Sequence, residues 1–340
     1  MLNDLATIND LIKCAFSRAG YLESNITKWQ YVLSLSSQAS SEYLISTIHY
    51  NNAYLENSKD YSLIIYENNT PAAIWPLTLQ KIDNKVSLQS NCKYIIPPLL
   101  ACNASKKVIK KIYQQCLLFL KMFSLHYKQE VKLSYFPESS PLWQRTLTPY
   151  IKEVNYQQHL IVDTSSSIDE IKSNFRKSYK SLISKGEKLW RGQLHTQMSD
   201  SLLTQFRQFH IDTSGKETRS LATWHLQQAM VNNHEAFYLT LVDDNQCLVG
   251  AALFNISPLQ ASYSVGIYDR NLFDLPLGHV IQLRAIEYMK SLGIKQYLLG
   301  NRHHLFEKMA VTEKESSIGF FKEGFSNQIK IEANVVLTFN

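Results

Sequence analysis

One lysine near the C-terminus stands among aromatic residues, in the stretch ESSIGFFKEGF (315–325), where Lys322 directly follows Phe321. An ammonium group in a dry aromatic surrounding can stabilise the negative charge that builds on a carbonyl oxygen when an amine attacks an ester or thioester. As a general base, lysine would first need strong desolvation, because its ordinary pKa is about 10.4. The spacing alone also fits a lysine whose stem packs on the edge of a core while its amine reaches water.

A possible anion site lies in YDRNLFDLPLGHVIQL (268–283), where a predicted strand ends and a predicted helix begins beside Gly278. Free backbone amides at a helix N-terminus carry partial positive charge and suit a pyrophosphate. His279, in the first turn, could donate to a phosphate or carry a proton near neutral pH. An ordinary strand-to-helix connection, with a capping or packing histidine, explains the same residues.

Further charged residues fall on predicted loops, where binding residues concentrate. Lys216 and Arg219 belong to SGKETR (214–219), between two predicted helices, although helix capping explains this stretch as well. Basic groups suit an anionic donor or substrate, whereas a surface ion pair is the simpler explanation for many such residues. The remaining candidates of this kind are Asp269, Arg270, Arg302, Lys314 and Glu315.

The most charged segment of the chain is SIDEIKSNFRKSYKSLISKGEKLWRG (167–192). Its apolar residues recur at helical spacing, which predicts one helix over 167–185. Gly186 is placed to end that helix.

Lys172, Arg176 and Lys180 form an i, i+4 ladder along one face of this predicted helix. Like charges at this spacing repel by a few tenths of a kcal/mol per pair unless an anion neutralises them. Two interpretations remain open, a solvated surface and a binding face for phosphate or carboxylate.

Several reaction classes lose support because their motifs are absent from the sequence. It contains no HExxH, no P-loop, no GxSxG and no Gly-rich dinucleotide fingerprint after a predicted strand. His303 and His304 are adjacent, so on regular structure their side chains diverge and make a poor metal site. The 5 cysteines are scattered, without a CxxC pair. We therefore expect no metal.

The overall charge fits an anionic substrate or cofactor but does not require nucleic acid. Lys and Arg number 35 against 29 Asp and Glu, a net charge of +6, and a dedicated DNA-binding protein is usually more lopsided. No run approaches the roughly 18 apolar residues of a membrane span, and the first 20 residues do not resemble a signal peptide. We expect a cytoplasmic protein without a membrane span.

Two parts of the chain show the same order of predicted elements. The first half has a hairpin (61–67 and 72–81), a strand (85–89), a helix (105–126) and a strand (130–136). The second half has strands at 236–243, 247–256 and 261–268, a helix from about 278 to 292, and the strand IKQYLLG (294–300). This repetition predicts a duplicated α+β unit, with a boundary near 155 between domains 1–155 and 156–340.

The second half also resembles a known family. The stretches that carry the resemblance are FRKSYKSLISKGEK (175–188), SGKETRSLATW (214–224), YDRNLFDLPLGHVIQLRAIEYMKSLG (268–293) and TEKESSIGFFKEGF (312–325). They resemble the Fem-type branch of the GNAT acyltransferase superfamily, and more closely uncharacterised Fem-like proteins of bacterial surface-polysaccharide clusters. The resemblance covers roughly residues 160–330. It implies an α+β fold of tandem GNAT-like domains, each a mixed, mostly antiparallel sheet flanked by helices.

The resemblance also implies roles for particular residues. In Fem-type enzymes a Phe-Lys pair lies beside the acyl carbonyl, and in the GNAT fold the acyl-CoA pyrophosphate binds after the fourth strand. Taken with the residue chemistry above, this gives three catalytic candidates, Lys322, Phe321 and His279, and four cofactor-binding candidates, Leu277, Gly278, Val280 and Arg302. The substrate-binding candidates are Arg176, Lys180, Lys216, Arg219, Tyr268, Asp269, Arg270, Lys314 and Glu315.

The function implied is an N-acyltransferase or aminoacyltransferase that forms an amide on an amino group of a cell-surface sugar or peptide precursor. The donor would be acyl-CoA or aminoacyl-tRNA, and the acceptor a small molecule, nucleotide sugar or peptide. A catalytically inactive GNAT-like binding or assembly protein of a surface-polysaccharide pathway is the alternative. An RNA-binding module that uses the basic helix is a third possibility.

Overall fold

A computed structural model describes residues 2–36, 39–83, 85–92, 94–303 and 311–339. The chain divides into two compact units. The first unit comprises residues up to Gln157 and from Ile331 onward, and the second runs from Gln158 to Lys330. The sequence instead assigned everything after 155 to the second domain, so the difference is the last strand, which belongs mainly to the first unit.

The first unit combines five α-helices with short strands among the residues that the structure describes. Its helices are α1 (Leu2–Ala15), α2 (Ile26–Leu35), α3 (Ile45–Tyr54), α4 (Lys106–Tyr127) and α5 (Pro141–Leu147). Its strands are β1 (Ala19–Tyr21), β2 (Ser58–Asp60), β3 (Leu63–Glu67), β4 (Thr70–Trp75), β5 (Thr78–Ile82), β6 (Lys85–Gln89), β7 (Leu99–Leu100) and β8 (Val131–Tyr135). The pairings β1-β3-β4-β7 and β2-β5-β6 are antiparallel.

The long helix of the first unit forms where the sequence predicted one. Ser105 caps α4 by accepting a hydrogen bond from the Val108 amide, and the helix ends at Lys128, which adopts the left-handed conformation. The apolar residues of α4 at helical spacing, among them Phe119 and Phe123, are buried in the core of this unit. Burial of that face is the main stabilisation of such a helix.

The second unit has one mixed sheet. Its strands are β9 (Ile151–Asp163, which begins in the first unit), β10 (Arg191–His195), β11 (Ala236–Val242), β12 (Leu248–Ile256), β13 (Gln260–Tyr268) and β14 (Gln296–Arg302). Their order is β10-β11-β12-β13-β14-β9, antiparallel except for the parallel pair β13-β14. The last strand, β15 (Gln328–Leu337), pairs with β8 through Ala333 to Leu337.

Helices cover both faces of the second unit's sheet. They are α6 (Ile168–Ser173), α7 (Lys177–Leu189), α8 (Asp200–Ser214), α9 (Leu221–Asn232), α10 (Leu277–Ser291) and α11 (Glu313–Glu323). Successive residues of a strand point to opposite faces. On β11, the Phe237 ring lies 4.8 Å from Tyr288 of α10, whereas the Tyr238 ring lies 4.5 Å from Phe206 of α8. Thus α8 and α10 pack on opposite faces.

The predicted basic helix over 167–185 is wrong as a single element, because the structure has two helices separated at Asn174–Arg176. Arg176 has extended backbone angles, and its amide donates to the Gly324 carbonyl at 2.8 Å instead of continuing the helix. The i, i+4 ladder is therefore interrupted. Gly186 does not end α7 either, since it lies buried within the helix, where a Cβ would stand 2.5 Å from Val280 Cγ2.

Candidate functional site

The site begins where two neighbouring parallel strands separate. Strands β13 and β14 pair only from Gln260 opposite Gln296 to Ser262 opposite Leu298, after which each continues without the other. The gap between β13 after Ser262 and β14 after Leu298 is an opening in the sheet, which we call the fork. An opening between strands exposes backbone groups and is a natural place for a ligand to enter a sheet.

The amine of Lys322 lies at this fork. Its Nζ atom is 5.3 Å from the centroid of the Tyr263 ring on β13, within the range of a cation–π interaction. On the side of β14, a Cβ built on Gly300 would lie 2.7 Å from the same Nζ atom. Helix α11, which carries Lys322, thus directs its amine between the two strands.

The side chain of Lys322 is partly shielded from water, and no counter-charge is found beside it among the described residues. The residue is half-buried, and burial lowers the pKa of its amine below the ordinary value. Within the described ranges, no carboxylate lies within 4.0 Å of Nζ, and no hydrogen bond involves this atom. An unpaired ammonium in such a place can interact strongly with a developing negative charge.

Two tyrosine hydroxyls share this face of β13. The Tyr263 and Tyr268 hydroxyl oxygens are 2.9 Å apart, and the Tyr263 ring crosses Gly266, where a Cβ would fall 1.6 Å from the hydroxyl. Burial raises the pKa of Tyr263 to about 12, and burial also raises the pKa of Tyr268 well above its ordinary value. Both hydroxyls therefore stay protonated at neutral pH. Tyr268, predicted to bind substrate, lies beside the fork.

Gly300 makes room for the lysine. It has a φ of +124°, a conformation that side chains rarely adopt, and it follows an irregularity in the pairing of β14 with β9. Glycine at this position is required both by the backbone and by the approach of Lys322 Nζ. No pattern in the sequence singles out Gly300 or Tyr263, and we did not predict either.

The start of α10 forms a second part of the site. No side chain caps this helix, and the amides of Gly278 and His279 have no hydrogen-bond acceptor within the residues described. A Cβ on Gly278 would lie 2.9 Å from the Phe321 ring, so the aromatic ring rests directly on this turn. The side chains of Leu277 and Val280 are buried in the core, so they could contact a cofactor only through their backbone.

His279 lies in an aromatic cluster. Its ring centroid is 4.4 Å from that of Tyr179 and 5.1 Å from that of Phe321, in both cases edge to face. Burial, assisted by the positive charge of Arg176, lowers the pKa of His279 to about 4. The histidine is therefore neutral at physiological pH. The possible role as a proton carrier near pH 7 has no support from this environment.

The lowered pKa of His279 should make the free energy of unfolding depend on pH. The unfolded chain binds a proton near pH 6.5, whereas the folded chain binds it only near pH 4. Above about pH 6.5 this difference does not affect the free energy of unfolding, and below it the free energy of unfolding decreases as the pH falls toward 4. We expect His279→Gln to reduce this acid-induced loss, measured as the difference in Tm between pH 7.5 and pH 5. An equal loss in the variant and the parent would contradict the assignment.

Arg302 is already engaged by neighbouring side chains. Its Nη2 atom lies 2.8 Å from a carboxylate oxygen of Glu323, and Nη1 donates to Gln158 Oε1 at 3.1 Å. A cofactor phosphate would have to compete with these two partners. Arg302 remains a candidate for cofactor binding, but its contacts first join β14 to the end of α11 and to β9.

Other candidates lie at exposed helix starts and turns. Glu315 forms a capping box with Thr312 at the start of α11, and Lys314 beside it is exposed. Asp269 accepts a hydrogen bond from the Asn271 amide at 2.9 Å, and Arg270 is exposed. These contacts give Glu315 and Asp269 local structural roles, whereas Lys314 and Arg270 stay available to a ligand.

The two basic candidates of the former ladder differ in their surroundings. Lys180 is exposed on α7, and so are Lys177, Lys185 and Lys188, none of which has an ion-pair partner in the part of the chain that the structure describes. The Arg176 guanidinium, by contrast, is held against α11: Nη2 donates to the Phe320 carbonyl at 3.0 Å. Only Lys180 therefore keeps the free cation that the sequence predicted.

A cationic group lies in the loop between α8 and α9, on the side of the sheet opposite α10. The Arg219 guanidinium is 5.0 Å from the Trp224 ring, and its Nε and Nη1 atoms are buried without a hydrogen-bond partner. His210, also buried, has an unpartnered Nδ1, and burial with the charge of Arg219 lowers its pKa. Lys216 lies exposed on the same loop, residues 215–220. Unsatisfied buried donors of this kind normally meet a ligand or water.

The described residues hold no group of three or more His, Cys, Asp or Glu that could bind a metal ion. His303 is described, but His304 lies outside the described residues, so the predicted divergence of this pair stays a prediction. Across the same described ranges, no helix is long and apolar enough to cross a membrane.

Comparison with solved structures identifies the fold class. The chain is similar to a tandem GNAT protein from the clavulanic acid biosynthesis pathway, with a TM-score of 0.52, 8% identity, and coverage of 95% of this chain and 100% of that one. The predicted tandem GNAT fold is therefore confirmed. No family model and no curated protein matches the sequence.

The likeness is greater to the Fem-like form of this fold. The crystal structure of FemX aligns with a TM-score of 0.69 and 11% identity, over 94% of this chain and 97% of FemX. L-PGS from Bacillus licheniformis aligns with a TM-score of 0.59 and 12% identity, over 92% of each chain. The Fem-like resemblance is confirmed at the level of the fold.

Proposed function

We propose that this chain is an N-acyltransferase or aminoacyltransferase that forms an amide on an amino group of a cell-surface sugar or peptide precursor. The observation that carries the proposal is the amine of Lys322, which lies half-buried and without a described counter-charge at the fork between β13 and β14. An ammonium in this position is suited to a carbonyl oxygen that gains negative charge.

In the proposed reaction, the acceptor amine attacks the carbonyl carbon of an ester or thioester. A C–N bond forms, the C–O or C–S bond breaks, and the proton lost by the amine leaves with the alcohol or thiol. Lys322 donates a hydrogen bond to the oxyanion, while Phe321 and the buried ring of Phe325 exclude water from its side of the site. His279, neutral and packed, contributes to this dry wall.

The donor would approach the start of α10. The free amides of Gly278 and His279, with the backbone of Leu277 and Val280, suit a phosphate group of acyl-CoA or of the acceptor end of aminoacyl-tRNA. Exposed lysines of α7, including Lys180, lie on the helix that packs against α10 through Gly186. Their positive charge supports an anionic donor of either kind.

The acceptor would carry an anionic group. Arg219 and His210, with their buried unpartnered nitrogen atoms, support binding of a carboxylate or phosphate, and Lys216 adds a charge on the same loop. Tyr268, Asp269 and Arg270, at the open end of β13, complete the residues that we assign to substrate. A nucleotide-linked sugar or a peptide precursor has both the anion and the amine that this arrangement suits.

A donor screen tests the proposal. Purified protein is incubated with acyl-CoA or charged tRNA and with candidate amino sugars and muropeptides, and mass spectrometry follows CoA or tRNA release and the mass shift of amide formation.

Arg219→Met should weaken binding of the acceptor while leaving binding of the donor intact. Donor binding that falls steeply with salt indicates tRNA, and a thermal shift with CoA that tRNA does not alter indicates acyl-CoA.

Binding of donor and acceptor without product from any pair would contradict the proposal. That result would favour the alternative, a GNAT-like binding or assembly protein of a surface-polysaccharide pathway.

A further inference from the structure

The end of α11 is held by donors from another helix. A helix leaves its last four carbonyl groups without partners of its own. In α11 the Phe320 carbonyl accepts from Arg176 Nη2 at 3.0 Å, and the Phe321 carbonyl accepts from the Tyr179 hydroxyl at 2.9 Å. Both donors come from the start of α7. These carbonyls flank the turn that carries Lys322.

Arg176 is fixed by several contacts at once. Its backbone amide donates to the Gly324 carbonyl at 2.8 Å, and its Nη1 atom donates to the Tyr179 hydroxyl at 3.1 Å. The guanidinium carbon also lies 3.7 Å from the centroid of the Phe320 ring. A cation at a helix C-terminus interacts favourably with the helix dipole. Every described polar contact of Arg176 is thus made with Phe320 of α11, with Gly324 directly after α11, or with Tyr179.

Tyr179 fits against α11 only because residue 324 is glycine. A Cβ at Gly324 would lie 2.3 Å from Tyr179 Cε2 and 2.7 Å from its hydroxyl oxygen. The tyrosine ring is buried, and it packs 4.8 Å from the Phe325 ring. The hydroxyl therefore has no room to leave the Phe321 carbonyl without moving α11.

We propose that Arg176 and Tyr179 are positioning residues that hold the last turn of α11 so that Lys322 Nζ lies at the fork of β13 and β14. With the carbonyls of residues 320, 321 and 324 all bound, the direction of the Lys322 stem is set from α7. The role in catalysis rests on the proposed function. This positioning role replaces the substrate contact that the sequence suggested for Arg176.

Two conservative changes test this role. Tyr179→Phe removes only the hydroxyl. Arg176→Gln removes the positive charge and one of the two nitrogen donors of the guanidinium. Tyr288→Phe is the matched control, because Tyr288 is a half-buried tyrosine on α10 with no described hydroxyl bond. We expect kcat to fall about fivefold to tenfold in both test variants, with donor and acceptor KM within about twofold of the parent. Arg176→Lys should restore part of the loss. The control should keep the parent kcat.

A second readout does not depend on turnover. In protein labelled with ¹³C-lysine, the Lys322 signal is assigned by its loss in Lys322→Met, and its pKa is followed by NMR titration. The pKa of Lys322 should move toward the ordinary lysine value in Tyr179→Phe and Arg176→Gln, because a released amine is better solvated.

The outcomes separate the two proposals. An unchanged Lys322 pKa with unchanged kcat would overturn the positioning role, and so would a higher KM at constant kcat for Arg176→Gln. If the parent forms no product, the titration alone decides whether α7 positions Lys322. A shifted pKa in an inactive protein would then support the positioning role and contradict only the transferase function.

Discussion

Lys322→Met should lower kcat for amide formation by about 10²- to 10³-fold, the usual cost of removing one oxyanion donor. Methionine keeps the length of the side chain and can fill the space between Tyr263 and Gly300, so the loss is that of the ammonium. Lys110→Met, at an exposed lysine of α4 in the first unit, is the control and should keep the parent rate. Equal rates for the parent and Lys322→Met would exclude the lysine from the chemistry.

The same variant should not be less stable than the parent. Burial lowers the pKa of Lys322, so the unfolded chain holds this proton more tightly than the folded one. Below the folded pKa both states are protonated, and the folded state carries the whole cost of the buried charge. That cost disappears as the pH rises from the lowered value toward the ordinary one. We therefore expect the Tm of Lys322→Met at pH 7 to equal or exceed that of the parent.

The pH dependence of the reaction follows from the same shift. If the ammonium is the active form, kcat of the parent should fall as the pH rises through the lowered pKa of Lys322, which lies below the ordinary lysine value. The residual rate of Lys322→Met should lack this decrease. A rate that instead increases through this range would indicate a neutral amine acting as a base.

Gly300→Ala should both destabilise the protein and reduce its activity. Alanine at a φ of +124° is strained, which costs about 1–3 kcal/mol of the free energy of unfolding, as measured by denaturant titration. Its Cβ would also lie 2.7 Å from Lys322 Nζ and displace the amine from the fork. We expect kcat to fall by at least tenfold, because a displaced donor no longer faces the oxyanion.

A double-mutant cycle separates strain from displacement. Gly293→Ala is the control for strain, because it places a Cβ on a backbone that is already left-handed, at a φ of +74°, where the Cβ meets nothing within 4 Å. It should cost about 1 kcal/mol of stability and leave kcat unchanged. In the Lys322→Met background, Gly300→Ala should lower kcat little further, because the interaction it disturbs is already gone. Additive losses in kcat would mean that Gly300 acts independently of Lys322.

The sequence predicted regular elements better than the contacts among them. The strands at 236–242, 248–256 and 260–268 and the helix at 277–291 lie within about two residues of their predicted ranges. Periodicity and turn residues determine such elements locally. The single helix over 167–185 was wrong because the Arg176 amide bonds to Gly324, nearly 150 residues away. A tertiary hydrogen bond of this kind leaves no local pattern.

The candidate site shows the same limit. Lys322 and the start of α10 were accessible to sequence reasoning, because an isolated charge among aromatic residues and a strand-to-helix junction are local features. The fork itself depends on where β13 and β14 stop pairing, and its shape depends on Gly300 and Tyr263. His210 was missed for a similar reason: its unpartnered nitrogen is recognisable only once Arg219 and Trp224 are beside it.

The pairing of β15 with β8 has a consequence for synthesis on the ribosome. Residues 131–135 of β8 can pair with residues 333–337 of β15 only after about 200 further residues have been translated. The second unit, residues 158–330, is contiguous and can emerge whole before the first unit receives its last strand. The part made first is thus completed last. Until then, the edge of β8 that β15 will cover is open to chaperones and to pairing with other chains.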